Sequence, residues 1–320
     1  MSCIFGPVPS RRLGRSLGID VIPSKTCSFD CTYCESGPTT RLTVMRECFV
    51  EPLEVLDELR SFFCLHPDSA DVLTFSSAGE PTLYSKLGEL IEAVKAAYPR
   101  LPLIVLTNGS LLWDREVRRN LLSADRVVPS LDSVTASVFR KINRPHPLLE
   151  PGQIVDGIRA FRSEYKGRLH IEVMLVSGVN DHPEELSALA RVIEPMRPEK
   201  VELNTVMRPP AYSGTLGLTK AQMERAASFF SSLNAEIVGT FHSKAHNFRD
   251  GELGTRIMET VGRRPCTIAE LAVSLGVAES AVELESASLH EQGKLSMLTF
   301  DGKVFLIMPE TEFRSGRNCK

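Results

Sequence analysis

The sequence contains no apolar run long enough to cross a membrane, and its first residues lack the apolar segment of a secretory signal peptide. It also lacks an excess of basic residues, because the formal net charge is −3 over 320 residues. Nothing in the overall charge therefore attracts nucleic acid. With 42% hydrophobic and 24% charged residues, the composition is that of a globular protein with room for one large and one small domain. We expect a cytoplasmic protein with no membrane partner.

The cysteines lack the paired spacing of a secreted disulfide framework. Five are scattered singly, and we interpret these as buried thiols: Cys3, Cys48, Cys64, Cys266 and Cys319. The other three, Cys27, Cys31 and Cys34, lie close together in KTCSFDCTYCESG with the spacing Cys-x3-Cys-x2-Cys. Three thiolates on one loop can bind three irons of a [4Fe-4S] cluster and leave the fourth iron open to a small molecule. Zinc is a weaker interpretation, because structural zinc sites usually take two separated ligand pairs.

After the cysteines, short apolar segments alternate with amphipathic ones. The predicted strands are residues 17–22, 71–76, 103–107, 126–131, 169–176 and 200–205. Apolar residues recur at helical spacing between them, for example in segments 83–94 and 186–193. Capping boxes are predicted at Asp181 with Glu184 and at Thr219 with Gln222. Six strand–helix units in a row predict an α/β fold with a parallel sheet, curled or closed, and chemistry at the carboxyl ends of its strands.

Polar residues do follow consecutive strands. Each could be explained separately, since Gly-Glu-Pro is a common turn and Asn, Ser and Asp often cap helices. Their recurrence at strand ends favours a functional site. The residues are Gly79 and Glu80 in AGEP, Asn108 in TNG, and Ser130 and Asp132 in PSLDS. The later strands are less informative, and there Asn204 in VELNTV is a separate candidate. Glu172 is interpreted either as a buried carboxylate or as an outward strand residue.

The cysteine spacing, with Tyr33 before the last cysteine, resembles the cluster motif of the radical S-adenosylmethionine (radical SAM) enzymes. The resemblance implies a [4Fe-4S] cluster whose open iron is chelated by the amino and carboxylate groups of SAM. It also implies an enzyme that cleaves SAM reductively to methionine and a 5′-deoxyadenosyl radical, which abstracts hydrogen from a substrate. A flavodoxin or ferredoxin-type electron donor is implied as a partner.

The same resemblance implies roles for the strand-end residues. Gly79 and Glu80 match the segment that meets the SAM amino group, and a carboxylate facing an ammonium is sound chemistry. Asn108, Ser130 and Asp132 match positions that contact the ribose and methionine parts of SAM. Asn204 is expected at the mouth of the barrel. The resemblance covers about residues 17–235 and implies a partial (βα)6 barrel, with the barrel domain at residues 1–240.

A narrower resemblance is carried by the opening FGPVPSRRLGRSLGIDVIPSKTC together with FSSAGEPT. These segments are similar to a radical SAM group that includes the wyosine-base synthases, which remodel a guanine in tRNA. Those enzymes have additional cysteines upstream for a second cluster, whereas only Cys3 lies upstream here. The acidic balance also argues against binding tRNA. Activation of a glycyl radical enzyme and modification of a peptide or protein are the other enzymatic alternatives.

Basic side chains near the strands are candidates for binding substrate. The guanidinium groups of Arg11, Arg12 and Arg208 suit a carboxylate or phosphate, although solvated surface charge explains them equally well. Lys25 precedes Cys27 by two residues and is expected either to contact substrate or to balance the charge of the cluster. His242 and His246 have the spacing of a metal-binding pair on a helix, but they fall in a linker, and we attribute that spacing to chance.

The sequence changes character near residue 251. We interpret residues 241–252 as a linker, 253–309 as a winged helix-turn-helix module and 310–320 as a flexible tail. A capping box at Thr267 and Glu270 opens a short helix, Gly276 makes the turn, and a longer helix is predicted at 278–292. Strands are predicted at 294–300 and 303–308 around an Asp-Gly turn.

The winged module raises a rival function, a DNA-binding regulator that senses SAM or redox state. A recognition helix that approaches phosphate oxygens is usually basic. The helix at 278–292 instead has four glutamates and no lysine or arginine. The module is therefore expected to bind a peptide or protein, or to pack on the barrel.

Overall fold

The computed structural model describes residues 2–10, 14–238 and 253–309. Its strands are β1 (Ile4–Ser10), β2 (Gly14–Ile19), β3 (Thr26–Cys27), β4 (Arg41–Leu42), β5 (Val72–Phe75), β6 (Leu103–Thr107), β7 (Arg126–Pro129), β8 (Arg168–Leu175), β9 (Lys200–Thr205), β10 (Ala235–Ile237), β11 (Ser296–Phe300) and β12 (Lys303–Ile307). Its α-helices are α1 (Pro52–Leu65), α2 (Leu87–Ala97), α3 (Arg115–Leu121), α4 (Ala136–Ile142), α5 (Pro151–Glu164), α6 (Pro183–Ile193), α7 (Lys220–Ser228), α8 (Leu253–Val261), α9 (Ile268–Leu275) and α10 (Glu279–Glu291). Short 3-10 helices occupy Pro81–Leu83 and Glu194–Met196. No helix in these described ranges is long and apolar enough to span a membrane.

The main sheet has eight strands within the described residues, in the order β1-β2-β5-β6-β7-β8-β9-β10. β1 is antiparallel to β2, and the other neighbouring pairs are parallel. Alternate residues of each strand face opposite sides. Leu73, Val105 and Ile171 belong to the large core that includes the helices, whereas the neighbouring residues Val72 and Ile104 belong to a separate small cluster on the other face. This α/β fold with a mostly parallel sheet is consistent with the expected radical SAM barrel.

The predicted strands correspond to β2, β5, β6, β7, β8 and β9, and two of them, β6 and β9, have the predicted bounds. The first was placed too far along the chain, since β2 pairs with β5 only up to Ile19, opposite Phe75. β1 was not predicted, and its sequence IFGPVPS contains Pro7 and Pro9. Proline is tolerated at the edge of a sheet, where no neighbour requires its missing N–H. The short edge strand β10 was also missed.

Two of the three predicted capping boxes are present in the structure, and one is not. Reciprocal capping boxes are present at Thr219 with Gln222 and at Thr267 with Glu270, as predicted. The box predicted at Asp181 is wrong. The N-cap of α6 is His182, with proline at the start of the helix, and the Asp181 carboxylate instead accepts the N–H of Gly178 at 2.8 Å. Proline favours the first helical position because its missing N–H needs no partner there.

Residues 253–309, which we call the C-terminal module, contain α8, α9, α10 and the antiparallel pair β11–β12. The module has its own apolar core, which includes Ile257, Leu271, Val282 and Leu306. Helix α10 and both strands lie within one or two residues of their predicted bounds, while α8 was not predicted. The tight turn between the strands has φ of 47° at Asp301 and 71° at Gly302. Positive φ at both positions is what an Asp-Gly hairpin turn requires.

The C-terminal module packs on the barrel at the carboxyl ends of the strands. Phe300 contacts an apolar cluster formed by Ile142, Val176 and Val206, and Tyr33 contacts the same cluster. Arg263 donates to Asp20 at 2.8 Å, and its guanidinium lies over the Phe5 ring at 4.1 Å. These contacts place the module against the cysteine segment.

Candidate functional site

The loop that contains the three cysteines is held by local hydrogen bonds. Cys27 ends β3, and its carbonyl accepts the N–H of Thr43 at 2.9 Å. The N–H of Cys34 bonds the carbonyl of Cys31 at 3.2 Å, which makes a turn. The buried carboxylate of Asp30 accepts from the Thr39 N–H at 2.8 Å. The loop is thus a fixed structure that projects three thiols.

The environment of these thiols fits iron–sulfur ligation. All three are half-buried, and burial is the largest cause that raises the pKa of each. The pKa of Cys27 rises to about 12. The pKa of Cys31 is raised by burial and, in addition, by the nearby groups Asp132, Cys27 and Cys34. A thiol in such surroundings ionises readily only when a cation binds it. Across the described ranges, no three His, Cys, Asp or Glu side chains are arranged to hold a single metal ion.

Two amide side chains point at the cysteine sulfurs. Asn108 Nδ2 lies 3.6 Å from Cys27 Sγ, and Asn143 Nδ2 lies 3.5 Å from Cys31 Sγ. Such donors stabilise thiolates and adjust the potential of a cluster bound by them. Asn143 was not predicted. It lies at the end of α4, far from the cysteines in sequence, so no local pattern identifies it.

The Gly79-Glu80 segment, which follows β5, packs directly on the cysteine loop. The Lys25 N–H donates to the Ala78 carbonyl at 2.6 Å, and the Glu80 N–H donates to the Thr26 carbonyl at 3.2 Å. A Cβ atom at Gly79 would lie 2.1 Å from that same Thr26 oxygen. Glycine is therefore required by the close approach of two backbones.

The Glu80 carboxylate joins the ends of two strands. It is 1% exposed, and its Oε1 accepts from the Thr82 N–H at 3.0 Å and from the hydroxyls of Thr82 and Thr107, both at 2.6 Å. Oε2 accepts the Asn108 N–H at 2.7 Å. Burial raises the pKa of Glu80, while these hydrogen bonds oppose the rise. Among the described residues the donor to Oε2 is the Asn108 N–H, which leaves the second lone pair of this oxygen available for another donor.

Asn108 lies at the centre of the assembly. Its side-chain amide donates to Ser28 Oγ at 2.8 Å and its Oδ1 accepts the Ser110 N–H at 2.9 Å. The hydroxyls of Ser28 and Ser110 are themselves 2.6 Å apart and buried. The end of β6 is thereby fixed to the residue that follows Cys27.

Asp132 and Tyr33 form a second connection. The Tyr33 hydroxyl donates to Asp132 Oδ2, which also accepts Asn143 Nδ2 at 2.6 Å, and Oδ1 accepts the Met174 N–H at 2.9 Å. Burial raises the pKa of Asp132 to about 6, and the hydrogen bond from Tyr33 opposes that rise. The resemblance implied a contact between Asp132 and SAM. In the structure its hydrogen bonds go to the protein and hold the cysteine loop against β8.

The other strand-end residues lie nearby. Ser130 follows β7, its N–H donates to the Thr107 carbonyl at 2.9 Å, and it lines a small pocket together with Asn108 and Asp132. Asn204 is 7% exposed, and its Oδ1 accepts the N–H of the next residue at 3.1 Å. It lies opposite Met174 of β8 in the sheet, two strands further from Asn108 than Asp132 is.

The structure places two of the basic candidates, Arg208 and Lys25, in identifiable surroundings. Arg208 was a candidate for binding an anionic substrate, but it is 3% exposed and donates to Glu35 at 3.2 and 3.3 Å and to Glu270 at 2.6 Å. The carboxylates of the protein itself take up its guanidinium, so we correct its role to an internal ion pair. Lys25 lowers the pKa of Cys34, whereas burial, the larger effect, raises it. This favours the charge-balancing alternative for Lys25.

Other predicted residues either lie outside the part of the chain that the structure describes or differ from expectation in their exposure. Arg11 and Arg12, together with the pair His242 and His246 and with Cys319, lie outside the described residues. Of the four singly placed cysteines that the structure describes, Cys266 is buried as expected, Cys48 and Cys64 are exposed and Cys3 is half-buried. That prediction was wrong for Cys48 and Cys64 because cysteine type alone does not reveal which helix face or loop carries the thiol.

Comparison with known proteins agrees with this geometry. Residues 21–190 match the family model described as Radical SAM superfamily. The UPF0026 protein MJ1312 of Methanocaldococcus jannaschii is 33% identical over 310 residues, which cover 95% of each chain. A Brachyspira hyodysenteriae protein named GTPase Obg is 35% identical over 294 residues, which cover 91% of this chain and 43% of that relative. The chain therefore spans less than half the length of this relative.

A solved structure agrees on the fold. The radical SAM methyltransferase from Sphaerobacter thermophilus aligns with a TM-score of 0.54 at 16% identity, covering 69% of this chain and 66% of that one. An identity this low shows the fold alone. The match of the family model over more than half of the chain settles the family. The chain belongs to the radical SAM superfamily, an enzyme family that uses a [4Fe-4S] cluster and S-adenosylmethionine.

Proposed function

We propose that Cys27, Cys31 and Cys34 bind the [4Fe-4S] cluster and that Glu80, Asn108 and Ser130 form the adjoining SAM site. When bound, the reduced cluster supplies the electron that cleaves SAM to methionine and a 5′-deoxyadenosyl radical, which abstracts hydrogen from the substrate. A low-potential electron donor is needed for each reduction.

One observation carries the proposal. The cysteine loop and the Gly79-Glu80 segment are about fifty residues apart in sequence, yet their backbones are joined by the bonds of Lys25 to Ala78 and of Glu80 to Thr26. Asn108 contacts both, through Cys27 Sγ at 3.6 Å and Glu80 Oε2 at 2.7 Å. Residues suggested independently by two motifs therefore form one hydrogen-bonded unit.

The residues of this unit suit the parts of SAM. The free lone pair on Glu80 Oε2 can accept from the SAM ammonium, which a buried carboxylate binds strongly. Asn108 and Ser130 offer the amide and hydroxyl groups with which the hydroxyls of the SAM ribose can pair. Asp132 and Tyr33 act by positioning the loop. Asn204 remains a proposed contact at the edge of the site.

Anaerobic reconstitution tests the proposal. The wild-type chain is expected to bind one four-iron cluster and to form 5′-deoxyadenosine from SAM with dithionite as reductant. Replacement of Cys27, Cys31 or Cys34 by alanine should abolish both, whereas Cys64→Ala, at an exposed position on α1, should change neither. About four irons retained per chain in the triple variant would refute the assignment.

We further propose that residues 1–240 form the barrel domain and that residues 253–309 form a winged helix-turn-helix module. We also propose that the substrate is a peptide or protein that reaches the barrel beside this module. The order α8, α9, α10 and hairpin supports the winged helix. Phe300 of the hairpin lies in the same cluster as Tyr33, next to the proposed site. On α10, Leu284 is 77% exposed among exposed glutamates, a surface that suits a basic, partly apolar polypeptide better than DNA.

A further inference from the structure

Asn143 attaches the end of helix α4 to the cysteine loop. It is the C-cap residue of α4, and its N–H donates to the Phe139 carbonyl at 2.9 Å. Its own carbonyl accepts the N–H of Asp30, which lies in the loop, at 3.0 Å. The residue is 3% exposed. The side-chain amide of Asn143 therefore has a fixed position beside Cys31.

The NH2 group of Asn143 faces two acceptors. Nδ2 lies 2.6 Å from Asp132 Oδ2 and 3.5 Å from Cys31 Sγ. A carboxylate and a sulfur both accept, so the nitrogen of the amide, and not its oxygen, must face them. Asp132 is itself held in place, because its Oδ1 accepts the Met174 N–H at 2.9 Å. The carboxylate takes one hydrogen of the NH2 group and thereby aims the other at the sulfur.

The neighbouring hydroxyl does not supply a hydrogen to this sulfur. Tyr33 is close to Cys31, but a hydroxyl has one hydrogen, and the Tyr33 hydroxyl donates it to Asp132 Oδ2. Across the described ranges, the hydrogen bond to Cys31 Sγ comes from Asn143. The polarity around this one sulfur can thus be changed by replacing one side chain.

The environment of Cys27 does not allow such a separation. The Phe29 N–H lies 3.5 Å from Cys27 Sγ, and Asn108 Nδ2 lies 3.6 Å from it. Asn108 also donates its N–H to Glu80, so replacing it would disturb the proposed SAM site. Asn143 instead offers a way to alter the cluster ligands from the side opposite that contact.

A hydrogen bond to a ligand sulfur changes how easily a cluster is reduced. When a cluster gains an electron, the negative charge shared with its thiolates increases, and an N–H donor stabilises that charge. The stabilisation is larger where water is excluded. Burial is the largest cause that raises the pKa of Cys31, and the hydrogen bond from Asn143 opposes the rise. The donor therefore favours the more negative form of the sulfur in a place that water does not compensate.

We propose that Asn143 sets the reduction potential of the cluster, because its amide, oriented by Asp132, donates to Cys31 Sγ and makes the cluster easier to reduce. The proposal rests on the proposed function, since it concerns the cluster bound by Cys27, Cys31 and Cys34. The step it affects is the uptake of one electron by the oxidised cluster from a reductant such as dithionite. Asn143 acts through Cys31 and is a positioning residue.

Two substitutions of Asn143 and one control test this role. Asn143→Leu removes both donors from a side chain of similar size. Asn143→Thr keeps one hydroxyl hydrogen, which goes to the stronger acceptor, the Asp132 carboxylate. Asn180→Leu is the control, because Asn180 is equally buried and its amide donates to the carbonyls of Asp132 and Met174, both at 2.8 Å, rather than to a sulfur.

The potential is measured on the anaerobically reconstituted full chain without SAM. Electron paramagnetic resonance counts the reduced cluster during a potentiometric titration with dithionite, and iron per chain is determined in parallel. At a fixed solution potential, both Asn143 variants are expected to have a threefold to tenfold lower ratio of reduced to oxidised cluster. For one electron this is a shift of about 28–59 mV to more negative potential. Asn180→Leu should keep the potential of the wild type even where it lowers stability toward urea.

Three results would overturn the proposal. The first is a wild-type potential in both Asn143 variants, and the second is an equal shift in Asn180→Leu, which would make the effect a general consequence of a disturbed core. The third is loss of iron from both Asn143 variants while Asn180→Leu retains it, since Asn143 would then hold the loop and not tune the cluster. A wild-type chain that binds no four-iron cluster would overturn the proposed function instead.

Discussion

Replacing Arg208 by methionine keeps the volume of the side chain but removes a charge that joins three parts of the molecule. The guanidinium is 3% exposed and contacts Glu35, beside Cys34, and Glu270, in the first turn of α9. Burial alone would lower the pKa of Arg208, but the two carboxylates raise it, so the group is charged. Its loss removes the guanidinium that both partly buried carboxylates contact.

The expected loss of folding stability depends on how exposed the two partner carboxylates are. Removing one partner of a fully buried ion pair costs about 3–5 kcal/mol of folding stability. The side chains of Glu35 and Glu270 are 32% and 22% exposed, so water compensates part of the loss. We therefore expect Arg208→Met to lower the free energy of unfolding by about 2–3 kcal/mol.

Urea unfolding followed by circular dichroism measures the change, and Arg15→Met is the matched control. Arg15 pairs with Asp71, but their side chains are 30% and 47% exposed, so the control should lose about 1 kcal/mol or less. Glu270→Gln combined with Arg208→Met should cost less than the sum of the single changes, because the two residues share one interaction. Equal losses for Arg208→Met and Arg15→Met would refute the internal ion-pair role of Arg208.

Two further substitutions test the cysteine loop. Gly79→Ala places a methyl group 2.1 Å from the Thr26 carbonyl oxygen and should cost about 1–3 kcal/mol of folding stability and lower iron retention. The control Gly152→Ala adds a Cβ in open space on helix α5, so it should retain iron and gain up to about 1 kcal/mol in the same urea assay. Asp132→Asn replaces one acceptor oxygen by an NH2 group among three donors, and should cost about 1–3 kcal/mol in urea unfolding. Wild-type stability of Asp132→Asn would show that Tyr33 and Asn143 do not depend on the carboxylate.

The features that the sequence predicts correctly are local. Strands β6 and β9 are short buried segments, and the polar residue Asn108 directly follows β6. The caps at Thr219 and Thr267 depend on residues three positions apart. The Asp-Gly turn at Asp301 is similarly determined by its own two residues. The cysteine spacing and the Gly79-Glu80 segment belong to the same class, because each motif is contiguous.

The features that could not be predicted from the sequence depend on contacts between distant segments. Asn143 approaches Cys31 only because α4 ends beside the cysteine loop, and Asp30 fixes that loop through Thr39 and Tyr212. Single polar residues of this kind occur throughout the chain and have no distinguishing pattern. The environment of Arg208 likewise arises from the packing of the C-terminal module, which no local sequence pattern records.

That packing makes the C-terminal module part of the site's architecture. Glu270 accepts the Thr267 N–H at 3.0 Å through Oε2 and Arg208 at 2.6 Å through Oε1, so one carboxylate both caps α9 and joins the module to the barrel. Asp20 accepts from Arg263 at 2.8 Å and, more weakly, from the N–H of Ala78 at 3.4 Å. Each contact ends on a segment that holds the cysteine loop. A change that loosens the module is therefore transmitted to the loop through two carboxylates, and the module cannot be treated as an independent appendage of the barrel.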